Sequence, residues 1–484
     1  MPASRKTKTS PFGPAERQSI NMVKNENSIT TGVIWKQLLL FFFPILIGTF
    51  FQQLYNTVDT IIVGKYVGTQ ALAAVGTTGT VINLLVGFFI GISSGATVII
   101  SQYFGANDRE NISKAVHTSI ALALVGGLVI MVVGILTSRP ILLLMDVPEE
   151  ILDDAVLYMN IYYAGILANM IYNVGTGILR AIGDSRMPLY VLIACCITNV
   201  LLDLLFVVVF RWAVFGVAFA TVLSLVISAV LIMIRLMGTK EAYRVELKKI
   251  RFDLPILKNV IRIGLPGGLQ SVAYSFSNVL VQAAINGFGT TAIAAWSAIG
   301  KVDGFVWMIM GAFGISVTTF VGQNFGARCY DRVKKCTRSG LAMCMGAVVS
   351  VSALIYVFGA PLLRFFTGDE AVVEIGVDFF HVLVPSYFLF VFIEILSGAI
   401  RGAGEALQPM LITCVGVCGL RIVWLLLAVP IWHTMQMVAM NYPVTWVITA
   451  LVFIVYYYRG KWLDRCIRRE HDPNHTTLKK KKVA

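Results

Sequence analysis

The sequence predicts an all-α membrane protein of about twelve transmembrane helices, arranged as two pseudo-symmetric six-helix bundles. Three observations predict it. Of 484 residues, 57% are hydrophobic and only 13% charged, with a mean hydropathy of +0.78; a soluble domain carries about a quarter charged residues. The apolar residues fall in runs that can cross a bilayer core about 30 Å thick, which takes roughly 20 helical residues. Polar motifs recur from one half of the chain to the other, as Gln102 does at Gln323, a period of about 221 residues.

In chain order the apolar runs cover residues 38–64, 71–101, 116–137, 157–179, 188–210, 214–236, 258–287, 291–322, 338–358, 380–400, 409–432 and 434–458. An even number of spans puts both termini on one side. Lys and Arg in the connections choose the side. The loops after spans two, four, six, eight and ten hold Arg109 and Lys114, Arg180 and Arg186, Lys240 to Arg251, Arg328 to Arg338, and Arg401. The opposite loops hold acids instead, Asp146 to Asp154 and Asp369 to Glu374. Both termini are therefore expected in the cytoplasm, with the chain multi-pass in the membrane. The expected organisation is a cytoplasmic tail over 1–35, an N-lobe bundle over 36–236, a basic linker over 237–257, a C-lobe bundle over 258–458 and a basic tail over 459–484.

The net charge of +13 tracks this loop pattern and ends in the run Lys479 to Lys482. Such placement suits anionic lipid and a solvated tail rather than a nucleic-acid groove, so the bilayer is the expected partner and nucleic acid is not. Eight cysteines show no zinc-like spacing; reduced structural thiols are expected. The first 35 residues are polar, and no short apolar core with a cleavage site comes after them, so the first span is expected to stay as an anchor.

The repeat is built of polar motifs in matching order. Gln102–Tyr103–Phe104–Gly105–Ala106 recurs as Gln323–Asn324–Phe325–Gly326–Ala327, and Gly177–Ile178–Leu179–Arg180 as Gly398–Ala399–Ile400–Arg401. Gly68–Thr69 recurs as Gly289–Thr290, Pro188 as Pro409, and Pro44 is answered by Pro266. Each copy holds six spans, so the halves share one orientation. That implies a pseudo-two-fold axis along the membrane normal, with a cavity between two lobes.

Ionisable groups at bilayer depth are costly and mark function by default. Span one holds Asp59. Span five holds Asn199 and Asp203, at i, i+4 and so on one helical face. Span six holds Thr221. Two carboxylates with an amide and a hydroxyl can form an oxygen cage for Na⁺; a carboxyl in low-dielectric surroundings can instead carry a proton. Helix-end placement of Asp59, and interhelical packing by Asn199 and Asp203, are the structural alternatives. The second half lacks the set: Leu280, Leu420 and Trp424 stand where Asp59, Asn199 and Asp203 would recur. Its own candidates are Glu394, equivalent to Asn173, then Lys301, Asp303 and Arg421. Phe305, Trp307, Met308 and Met310 are candidates to line a cavity for flat or cationic molecules, although lipid-facing packing is the commoner reason for such residues.

With these motifs the chain resembles the multidrug and toxic compound extrusion (MATE) transporters of the MOP superfamily, from about Trp35 to Tyr458. The resemblance rests on Pro44, Gln52–Gln53, Asn56, Asp59 and Gly64, the paired Gln-x-Phe-Gly-Ala loops, the Leu179–Arg180 and Ile400–Arg401 turns, and Asn199 with Asp203. It is nearest the DinF-type and MepA-type bacterial branch; where the NorM branch carries an acid in span seven, this chain has Gln270, Tyr274 and Ser275. The resemblance implies no enzyme, but a transporter without a cofactor, a monomer that expels small organic cations, drugs and dyes by antiport with Na⁺ or H⁺. It implies that Asp59, Asn199, Asp203 and Thr221 form the cation site, ligating the metal where the ion is Na⁺. A lipid-linked oligosaccharide flippase, a membrane prenyl transferase and a channel are the alternatives. The flippase needs a basic groove for a diphosphate, and only Lys301 and Arg421 lie at depth. The transferase needs acid clusters for Mg²⁺, and Asp153–Asp154 has no second cluster.

Overall fold

A computed structural model describes residues 29–471; most of the expected N-terminal tail and the Lys479–Lys482 run lie outside the described residues. The first lobe comprises α1 (Ile34–Ile62, prolonged by a π-helical stretch, Val63–Val67), α2 (Thr69–Gly105), α3 (Arg109–Leu144), α4 (Glu149–Ala164), α5 (Ile166–Ala181), α6 (Arg186–Asp203, prolonged by the π-helical Leu204–Val209) and α7 (Ala213–Gly238). The second comprises α8 (Leu254–Asn286), α9 (Thr290–Gly326), α10 (Tyr330–Arg364), α11 (Glu370–Leu383), α12 (Tyr387–Gly402), α13 (Leu407–Thr413), α14 (Leu420–Trp432) and α15 (Met435–Arg459), with a π-helical stretch, Cys414–Gly419, joining α13 to α14. A short α16 (Trp462–His471) comes last.

All twelve apolar runs fall on helices. Among the described residues ten helices are long and apolar enough to cross a membrane, and the pair α4–α5, bent by 48°, makes an eleventh. The seventh run is α8, 33 residues long, which carries Lys258 and Arg262 and then a polar row, Gln270, Tyr274, Asn278 and Gln282, at i, i+4 spacing. That row explains its lower hydropathy. Tyr274, Asn278 and Gln282 line a cavity, and Gln270 meets Arg401. Within the spans, hydroxyls donate back to carbonyls one turn earlier, as Thr57 does to Gln53 at 2.8 Å and Thr449 to Thr445 at 2.6 Å. Those hydroxyls need no water, which lipid lacks.

The repeat is visible in the backbone. Left-handed φ values occur at Gly68 and Gly289, Gly183 and Gly404, and Asn107 and Arg328. Glycine meets the φ of 95° and 96° at Gly183 and Gly404, the turns after α5 and α12, without the strain a Cβ would bring. The first helix of each lobe also crosses over. Leu38, Phe41, Phe42 and Ile45 of α1 pack into the second lobe's core, where Phe42 stacks on Phe313 at 4.0 Å. Ile256, Val260 and Ile263 of α8 pack into the first.

The lobes meet toward the end that carries the basic loops. Gln102 Nε2 donates to the Gly402 carbonyl at 2.9 Å, and its repeat partner Gln323 donates to Ala181 at 2.7 Å. A Cβ on Gly105 would strike the Gln323 backbone, and one on Gly326 the Gln102 backbone. Gly91, Gly95 and Gly264 likewise allow α2 and α8 to touch backbone to backbone. At the opposite ends of α2 and α9 there is room: Gly76, Gly79, Gly300 and Gly304 have nothing within 4 Å of a Cβ position.

The linker between lobes is docked, not loose. The Glu246 N–H donates to His117 Nε2 at 3.0 Å, and Asp253 N–H donates to Thr118 Oγ1 at 3.1 Å. Because Nε2 accepts, the His117 ring proton sits on Nδ1, 2.6 Å from the Ser113 carbonyl. All eight cysteines are free thiols.

Candidate functional site

Asp59 and Asp203 come from different helices and meet. Their carboxyl groups are close enough to interact through a side-chain hydrogen bond when one is protonated. Asn199 and Asp203 are both 0% exposed. Both polar atoms of Asn199, both oxygens of Asp203 and Oδ1 of Asp59 have no partner among the described residues. A buried polar atom without a partner costs about 1–3 kcal/mol, so orphans gathered at one place fit a bound cation or shared proton and do not fit helix-packing bonds. The hydrogen-bonding alternative for Asn199 and Asp203 therefore has no bonds to support it.

Local backbone prepares this point. Asp203 is the last residue before one π-helical stretch, and Asp59 lies one turn before another. The two stretches touch, and α7 packs on both. A π turn widens the helix and rotates the residues beyond it out of register, which is why such turns gather at functional sites. Thr221, on α7, is buried, and its hydroxyl donates to Val217 O at 3.0 Å; its lone pairs alone remain for a cation. Tyr158 stands within electrostatic reach of both carboxyls and Tyr55 within reach of Asp59, with Tyr162 beside the two tyrosines. Tyr162 accepts from Asn169 Nδ2 at 3.0 Å, and Asn169 is bonded in turn to Asn173. No group of three or more His, Cys, Asp or Glu side chains able to hold a metal occurs among the described residues, so a cation here would be held by two carboxylates and neutral oxygens.

Asn173 leads to a second place. It lines a cavity of about 170 Å³ between the lobes together with Glu394, Arg180, Arg401, Thr97 and Thr318. These are three repeat-related pairs, so the cavity sits on the pseudo-two-fold axis. Glu394 leans over Gly314, where a Cβ would collide with its carboxyl. Arg401 reaches Ser397 Oγ at 3.2 Å and Gln270 Oε1 at 3.4 Å.

Glu394 also lines a third place, a cavity of about 560 Å³ inside the second lobe. Asp303, Arg421 and Asn278 share it, and Trp296, Trp307, Phe390 and Tyr442 form its aromatic wall. Asp303 Oδ2 accepts from Trp307 Nε1 at 2.7 Å. Of the other candidates, Trp307 and Met310 line this cavity, whereas Lys301 and Phe305 are exposed and line neither cavity. The equivalents of the first-lobe acids are apolar in kind: Leu280 packs on the core, and Trp424 donates to Met437 O at 2.8 Å.

Sequence reading missed the tyrosines around Asp59 and the role of Asn278. The i, i+4 polar row on α8 is a signal that could have found Asn278. No signal marks Tyr158, whose helix brings it to Asp59 only through the fold.

Comparison with known proteins agrees with the repeat. The MatE family model matches twice, over residues 44–205 and 266–427. The chain is 28% identical over 449 residues to the probable multidrug resistance protein YoeA of Bacillus subtilis, covering 90% of this chain and 96% of that one. It is 23% identical to the multidrug export protein MepA of Staphylococcus aureus, covering 78% and 84%. Among solved structures, a MOP superfamily transporter from Pyrococcus furiosus superposes with a TM-score of 0.84 at 22% identity, over 91% of this chain and 98% of that one. An outward-facing multidrug resistance MATE transporter also gives 0.84 at 22%, over 92% and 99%.

Proposed function

The chain belongs to the MatE family of multidrug efflux transporters, and from that premise we propose that it exports small organic compounds, often cationic, by antiport with Na⁺ or H⁺ across the bacterial cytoplasmic membrane. The membrane-enzyme alternative ends with the family. The observation that carries the proposal is the meeting of Asp59 with Asp203, beside Asn199, as buried oxygens without partners.

Like charges this close resist joint ionisation. One arriving proton or Na⁺ relieves that repulsion, so the pair discriminates between its loaded and empty states. On the positive-inside orientation, the end closed by Gln102 and Gln323 is cytoplasmic, and a molecule closed at that end is outward-facing. An ion entering from outside binds at Asp59, Asn199 and Asp203 with help from Thr221, and favours substrate release outward. Its departure inward restores substrate uptake. The coupling lies in the difference of ion affinity between the two states, not in tight binding as such. Protein and bilayer suffice as partners, and the chain acts as a monomer.

In a pump-deficient bacterial host, the parent raises the tolerated concentration of ethidium severalfold. Asp203→Asn, present in the membrane at the same level, gives the tolerance of the empty vector. Parental protection by that variant would remove Asp203 from the mechanism.

A further inference from the structure

Arg421 is the least explained charge in the molecule. It is 3% exposed and lines the second-lobe cavity. One guanidinium nitrogen donates to Asn278 Oδ1 at 3.0 Å, the planar group lies 4.6 Å from the Tyr442 ring centre, and Nε has no partner. No carboxylate among the described residues pairs with it, although Asp303 and Glu394 line the same cavity. A buried guanidinium normally holds a carboxylate in its fork. Here the acids and the base are kept apart on the wall. Tyr274 is within reach of both Glu394 and Arg421, and Tyr442 of both Asp303 and Arg421.

We infer that this cavity is a substrate site selective for flat aromatic molecules that carry a carboxylate as well as an amine, with Arg421 as the anion contact and Glu394 and Asp303 as the cation side. Its 560 Å³ lies inside the range of about 300–1,000 Å³ of sites for drug-sized ligands. Trp296, Trp307 and Phe390 supply the stacking wall. A simple monocation would satisfy the acids and leave Arg421 repelling it. A zwitterion of matching length satisfies both ends. Asn278 holds the guanidinium in place, so the fork is set before the ligand arrives. Because Glu394 also borders the cavity between the lobes, an amine held by Glu394 lies beside the surface along which the lobes move. The inference deepens the export reading and rests on it only for the claim that the ligand is then expelled.

The test is equilibrium binding to the purified full chain in detergent, with no gradient, read by fluorescence anisotropy. The probes are rhodamine B, a cationic dye with a free carboxylate, and rhodamine B ethyl ester, the same dye without the anion. The parent binds rhodamine B more tightly than the ester. Arg421→Gln weakens rhodamine B by about tenfold, the scale of one charge-assisted contact, and tightens the ester, because the repelling charge is gone. Glu394→Gln weakens both dyes. Arg421→Lys, which keeps the charge and loses the fork, falls between parent and Arg421→Gln and carries the test should Arg421→Gln fail to fold. Equal loss of both dyes by the Arg421 variants would overturn the inference, as would a parent that binds neither dye or does not distinguish them. The export reading fails separately: the parental dye preference in a chain whose Asp203→Asn variant still pumps sinks the coupling scheme and leaves the site standing.

Discussion

The two lobes share a fold and a set of turns, yet they differ in where they place charge. In the first, two carboxylates and an amide meet beside two π-helical stretches, with no basic side chain among the described residues hydrogen-bonded to them. In the second, the equivalent positions are Leu280, Leu420 and Trp424. The charges sit instead around a cavity of about 560 Å³, where acids and an arginine stay apart. A concentrated like-charge pair suits a small cation, which it can surround. Opposed charges spread over an aromatic wall suit an organic molecule. The repeat supplies one scaffold twice, and in the proposed scheme the side chains divide the work between ion and substrate. Asn173 and Glu394, repeat partners on the wall of the axial cavity, lie where the two proposed sites adjoin.

The comparison breaks most severely where the lobes touch. Gly105→Ala puts a methyl into the Gln323 backbone; the lobes are then unable to close at the basic-loop end, and transport is lost. Spin labels on the two basic-loop ends, read by pulsed dipolar spectroscopy, give a longer distance in this variant than in the parent. Next in size is the double variant Gln102→Ala with Gln323→Ala. It removes two interlobe hydrogen bonds worth about 1 kcal/mol each, and shifts the balance toward the separated state by roughly thirtyfold in the same distance measurement. An unchanged distribution would mean the glycine contacts alone hold the closure.

A milder change sharpens the asymmetry. Leu280→Asn places an amide at the second-lobe equivalent of Asp59. Leu280 is half-buried, so the change costs less stability than the roughly 1–3 kcal/mol of a fully buried unpaired polar group, and leaves the response to ion gradients intact. Thermal unfolding and transport, measured together, separate the two effects. The smallest expected effect is at His117, which holds the linker through Glu246. His117→Ala removes the linker hydrogen bond, about 1 kcal/mol, together with the local bond to Ser113, and raises amide exchange at residues 245–253 without altering substrate preference.

The sequence made the repeat, the spans and the first-lobe acids legible for a physical reason. Lipid imposes long apolar runs, and against them Asp59, Asn199 and Asp203 stand out as costly. The linker's docking on His117 and Thr118 was not legible, because a polar segment between bundles reads alike whether docked or free. Nor was the crossing of α1 into the second lobe's core: Leu38, Phe41 and Phe42 are apolar in any span, and only packing shows which lobe receives them. Arg421 stood out as a buried cation, but its separation from Glu394 and Asp303 depends on helix placement. Lys301 was as conspicuous in the sequence and proves exposed, since one residue's shift around a helix turns a side chain from cavity to surface.

The division of work between lobes is tested most directly in liposomes, by comparing gradient-driven dye accumulation with gradient-free dye exchange. Asp59→Asn with Asp203→Asn should abolish accumulation under both Na⁺ and pH gradients while exchange continues. Glu394→Gln with Asp303→Asn should retain the gradient response and bind dye more weakly. Accumulation at the parental level by the first pair, or loss of all gradient response with exchange intact in the second, would contradict it.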